Sequence, residues 1–105
     1  MLRDNRSPTH PAPTHLGKAE KDLWDQLTRS YVLDDPAALE ILKQACEARM
    51  RARLSRELIL QEGAVYKDDR GNLKNHPAIA AERSAQNAFI SSLRLLRLDI
   101  SGEKQ

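Results

Sequence analysis

Asp35-Pro36-Ala37-Ala38-Leu39-Glu40-Ile41-Leu42-Lys43-Gln44-Ala45-Cys46-Glu47-Ala48-Arg49-Met50-Arg51-Ala52-Arg53-Leu54-Ser55-Arg56-Glu57-Leu58-Ile59-Leu60-Gln61-Glu62-Gly63 dictates the architecture. Asp35 is a good N-cap acid, and Pro36 presets the backbone angle of a first helical residue. Nothing from Ala37 to Glu62 breaks a helix, and Gly63 supplies a residue free to take positive φ at its end. These signals predict one long helix. Residues placed about 100° apart put Ala38, Ile41, Leu42, Ala45, Cys46, Ala48, Ala52, Ile59 and Leu60 on one apolar arc. Glu40, Gln44, Glu47, Arg51 and Ser55 fall opposite. Arg49, Arg53 and Arg56 depart from this pattern, because their i, i+4, i+7 spacing aims them into the apolar arc. Three guanidiniums cannot be buried unpaired. They snorkel to an edge, pair with acids of the first helix or a neighbouring chain, or face phosphate, and structural pairing is preferred over DNA contact.

Upstream, Lys18 to Ser30 reads as a short amphipathic helix with Gly17 as N-cap, Glu20 in its first turn, and Leu23, Trp24 and Leu27 on one face. Downstream, Val65-Tyr66-Lys67 and Leu73-Lys74 flank the turn Asp68-Asp69-Arg70-Gly71-Asn72, the pattern of a small hairpin. Pro77 keeps His76 out of helical geometry and starts a third helix. Its apolar face is Ala78, Ala81, Ala85, Ala88, Phe89, Ile90, Leu93 and Leu96. The predicted fold is mainly α: short helix, long helix, β-hairpin, and a second long helix packed back as an antiparallel helical hairpin. Residues 1–15 carry Pro8, Pro11, Pro13 and the near-repeat Pro-Thr-His, and read as a flexible arm. Residues 16–100 form the single domain, and 101–105 a disordered tail.

At 105 residues the chain is at most one domain, and so small a domain buries a limited share of its surface. Its aromatics are Trp24, Tyr31, Tyr66 and Phe89, so the core is built from Leu, Ile and Ala. Oligomerisation is expected to complete it, with Leu39, Leu42, Cys46 and Met50 of the second helix and Phe89 and Leu93 of the third as contacts between helices or between chains. The net charge of +2 is unevenly spread. Glu20 to Glu40 holds six acids against Lys21 and Arg29, whereas Lys43 to Arg56 holds five bases against Glu47 alone. Such polarity orients copies head to tail as readily as it attracts phosphate.

A single cysteine, no charged-then-apolar leader and no long apolar run point to a reducing cytoplasm and no membrane. No nucleophile elbow, glycine-rich phosphate loop or metal-spaced histidine is present. Asp34-Asp35 starts a helix and Asp68-Asp69 shapes a turn. Neither enzyme activity nor a metal or other cofactor is expected.

The ordered set of elements resembles the small terminase subunits of tailed bacteriophages, in a compact all-helical branch. The resemblance runs from Leu16-Gly17-Lys18-Ala19-Glu20 and Leu23-Trp24 through Asp35-Pro36-Ala37-Ala38-Leu39, Ala45-Cys46-Glu47-Ala48 and Gly63. Its clearest part is Gly71-Asn72-Leu73-Lys74-Asn75-His76-Pro77-Ala78, followed by Ala85 and the Leu93/Leu96 ending. It implies a non-catalytic packaging factor of the host cytoplasm, a ring larger than a dimer, which engages viral double-stranded DNA and serves a large subunit carrying the ATPase and nuclease. Arg49, Arg51, Arg53 and Arg56, with Lys67, Arg70 and Lys74 of the hairpin, are the candidate DNA contacts. Met1 to His15 and Ser101 to Gln105 are candidate docking segments for the large subunit. Two departures stand out. The family often has a Gly-Leu pair after the last helix where Arg97-Leu98 stands here, so that helix is expected to run on toward Ile100. Many relatives also carry a separate N-terminal helix-turn-helix domain, which leaves recognition of a specific packaging site open here. A small DNA-binding regulator and a protein-only helical adaptor are the alternative readings.

Overall fold

The computed structural model describes residues 10–98. Helices α1 (Lys18–Ser30), α2 (Pro36–Glu62) and α3 (Pro77–Leu95) are joined by strands β1 (Val65–Lys67) and β2 (Leu73–Asn75) between α2 and α3. The mainly helical fold and the hairpin therefore stand as expected. Local chemistry explains each boundary. Asp35 accepts from the Ala38 N–H at 3.2 Å to cap α2, and Pro36 follows it. Gly63 ends α2 with φ 92° and ψ 148°, a combination open to glycine alone, so the chain leaves straight into β1. His76 caps α3 by accepting the Ala78 N–H on Nδ1 at 2.9 Å. Its Nε2 lies 2.7 Å from Glu62 Oε1, which ties the start of α3 to the end of α2. Because Nδ1 accepts, the ring proton sits on Nε2 and is donated to Glu62.

The hairpin pairs Val65 with Asn75, Tyr66 with Lys74 and Lys67 with Leu73, antiparallel. Asp68 builds its turn. Its Oδ1 accepts from the backbone N–H groups of Arg70 and Asn72, both at 2.9 Å, while Gly71 takes φ 81°. All six strand residues are exposed.

Helices α2 and α3 run antiparallel, as the order of their contacts shows: Glu62 with His76, Arg56 with Glu82, Arg49 with Phe89. Small side chains fill the seam, Ala45, Ala48 and Ala52 on α2 and Ala78 and Ala85 on α3, with Ile59 and Leu93. Helix α1 covers the N-terminal half of α2, where Leu16, Trp24, Leu33, Leu42 and Cys46 form the main core. The described end of the Pro-rich segment packs here too. The Trp24 indole N–H donates to the His10 carbonyl at 2.8 Å, His15 meets Glu47 at 2.7 Å, and Ala12 lies against the core. The rest of that arm and the tail lie outside the described residues.

One residue of the apolar arc stands outside the core, and one expectation is corrected. Leu60, placed on the apolar arc, is 75% exposed. It lies about five turns beyond Leu42 on the same side of α2, but α1 is only about 20 Å long against about 40 Å for α2, so nothing covers that azimuth so far along. The last helix stops at Leu95 instead of running to Ile100. Arg97 adopts φ 60°, its N–H bonds to Arg94 O, and the Leu98 N–H bonds to Leu93 O, both at 3.0 Å. That is a Schellman ending, with arginine where glycine is usual.

Candidate functional site

The candidate cations separate into two groups. Arg53 is held by carboxylates: Nε donates to Glu20 Oε2 at 2.8 Å, Nη2 to Glu20 Oε1 at 2.9 Å, and Nη1 to Glu57 Oε2 at 3.1 Å. Glu20 is 1% exposed. The hydrogen bonds from Arg53 outweigh its desolvation and hold its carboxyl below the usual range, and they raise Arg53 in turn. Gly17 makes this possible. A Cβ there would stand 2.5 Å from Arg53 Nη2 and 2.7 Å from Glu20 Oε1, so the close approach is steric and owes nothing to backbone strain. Arg56 Nε donates to Glu82 Oε2 at 2.9 Å. Arg49 lies over the Phe89 ring, 5.1 Å from its centroid. The arginine stripe is thus engaged inside the chain, along a cleft floored by α2 and walled by α1 and α3.

Arg51, Lys67, Arg70 and Lys74 differ. All four are exposed, and none makes an ion pair with another described residue. Arg51 lies on the side of the α2/α3 layer that carries Leu54, Ser55, Ala81, Ser84, Ala85 and Ala88. The other three decorate the hairpin.

Of the six expected contact residues, three are taken up by packing within the chain. Leu42 and Cys46 are fully buried, Leu93 nearly so, and Leu39, Met50 and Phe89 are half-buried. Burial, with Glu20 and Glu47 adding to it, pushes the Cys46 thiol up to about 12. The large apolar side chains left outside are others: Leu54 (50% exposed), Leu58 (38%), Leu60, Val65, Tyr66 and Leu73 crowd one end of the molecule, with Val32 and Leu95 at the other. The signal for Leu54 and Leu58 was in the sequence, an apolar i, i+4 pair lying off the apolar arc. Acids of the first helix were expected partners of the stripe, and Glu20 is one of them; nothing in the sequence pointed to Glu82 of α3 or to the close approach at Gly17.

Ionic bonds inside and cations and apolar side chains outside define a helical scaffold whose outward groups suit contact with other macromolecules. Among the described residues, no helix is long and apolar enough to cross a membrane, and no group of three or more His, Cys, Asp or Glu side chains could hold a metal ion. A family model described as phage terminase, small subunit, matches residues 18–105, a span that contains all three helices and the hairpin. The chain belongs to that family, and membership implies a role in phage DNA packaging. No curated protein and no solved structure matches it.

Proposed function

We propose that the chain is the non-catalytic, regulatory part of a packaging machine. Its copies assemble into a closed ring larger than a dimer, engage viral double-stranded DNA, and raise the ATPase or alter the nuclease activity of the large terminase subunit in the host cytoplasm. Family membership over residues 18–105 carries this reading. Two features of the molecule support it. Exposed apolar side chains at two unlike ends suit a heterologous contact, the kind that repeats until a ring closes. Exposed Arg51, Lys67, Arg70 and Lys74 retain charge for phosphate, whereas Arg53 and Arg56 are committed to carboxylates.

Salt-dependent DNA binding tests the assignment. Lys67→Ala, Arg70→Ala and Lys74→Ala weaken binding to all sequences about equally and lower the salt slope by about one unit for each phosphate no longer neutralised. Oligomer mass by native mass spectrometry stays the same. Failure of the intact oligomer both to bind duplex DNA and to change the large subunit's ATPase would overturn the proposal.

A further inference from the structure

Beside the cation cleft, between α2 and α3, lies a groove of about 350 Å³ lined by Arg49, Ala52, Gln86, Phe89, Ile90 and Leu93. It combines half-buried Phe89 and Ile90 with the Arg49 guanidinium, which has no carboxylate within ion-pair distance among the described residues. The groove therefore suits a short segment carrying one apolar and one acidic side chain.

The described chain leaves the fold at the end of α3, one backbone hydrogen bond from Leu93, which lines this groove. The Schellman ending bonds Leu98 N–H to Leu93 O, and half-buried Leu98 turns back onto the last turn of α3 instead of continuing its axis. The chain continues as Asp99-Ile100-Ser101-Gly102-Glu103-Lys104-Gln105, with one apolar residue near the exit and an acid three positions on. Seven extended residues reach about 23 Å. From Leu93 back to Gln86, the length of the groove along α3, is only about 10 Å.

The geometry points to this segment of the same chain as the occupant: Ile100 seats on Phe89 and Ile90, and Glu103 meets Arg49. Leu93 and Ile90 lie nearest the exit, and the Arg49 guanidinium stands farther in, level with Phe89. Docking there covers apolar surface and gives Arg49 a carboxylate in direct contact. The inference is independent of ring formation and of DNA binding.

Disulfide trapping in the full-length chain tests it. Cys46 is buried, with its thiol pushed up to about 12, and stays out of the reaction. Under mild oxidation, Ile90→Cys with Ile100→Cys forms an intrachain disulfide roughly tenfold faster than Arg83→Cys with Ile100→Cys. A second pair at Gln86→Cys and Lys104→Cys avoids the half-buried position, so a fold damaged at Ile90 does not decide the outcome. In either pair, Glu103→Arg slows trapping and added Arg49→Glu restores it. Trapping no faster than the Arg83 control in both pairs overturns the inference. So does a product of two linked chains, which assigns the groove to a neighbouring copy's segment.

Discussion

The Glu20-Arg53 pair shows how a single position governs the join between two helices. Glu20 is buried and doubly hydrogen-bonded, and Gly17, with no Cβ, leaves room for its pairing with Arg53. Gly17→Ala should therefore lower the melting temperature by pushing the guanidinium off its carboxylate, even though alanine tolerates the backbone angles there. Thermal melts with Gly17→Ala and with Lys18→Ala, an exposed control, check it. The pair also predicts a pH dependence. Glu20 titrates lower in the folded than in the unfolded state. Its stabilisation is thus complete above the ordinary carboxylate value of about 4.3 and is lost as pH falls through the folded value. Glu20→Gln should lower stability at neutral pH and flatten the acid limb of a plot of melting temperature against pH. An unchanged acid limb would assign that limb to other carboxylates.

Among the elements, the end of α3 carries a measurable cost. Arg97 sits at φ 60°, where a side chain is penalised and glycine is not. Arg97→Gly removes that penalty but increases the freedom of the unfolded chain. The net expectation is a gain of about 0.5–1 kcal/mol, readable in a denaturant titration as a higher midpoint with unchanged slope. A loss of stability would mean that Arg97 makes a contact worth more than its backbone strain. The Arg97-Leu98 pair thus fills the place of the Gly-Leu pair of the resemblance in geometry, though not in residue type. The hairpin makes a related point. Asp68 and Gly71 hold its turn, yet two exposed strands alone are marginally stable, so its base, tied by His76 to Ala64 O and Glu62, anchors it to the helices.

For the molecule as a whole the central asymmetry is coverage. Helix α1 shields one half of α2, and the far half ends in exposed Leu54, Leu58 and Leu60, with Val65, Tyr66 and Leu73 beyond them. If this end meets another copy, replacing Leu54 and Leu58 with Glu should reduce oligomer mass while leaving the protomer's own stability within about 0.5 kcal/mol per site, as for exposed positions generally. Native mass spectrometry beside a melt separates the two effects. Intact mass with intact stability would move the interface to Val32, Leu95 or the polar surface.

Features set by a few neighbouring residues were legible before any fold was known: Asp35-Pro36 starting α2, Gly63 ending it, Asp68 and Gly71 turning the hairpin, His76-Pro77 starting α3. Capping and allowed φ act locally, so distant parts of the chain do not enter. The seven candidate cations were legible as charges in the same way. Which of them stay outward depends on the packed molecule, because Arg53 finds Glu20 33 positions away and Arg56 finds Glu82 26 positions away. Likewise Leu42 and Leu60 share one side of one helix, and only the length of α1 buries the first and exposes the second. Periodicity gives the direction in which a side chain points. Burial and ion pairing need an opposing surface, which comes from elements distant in sequence.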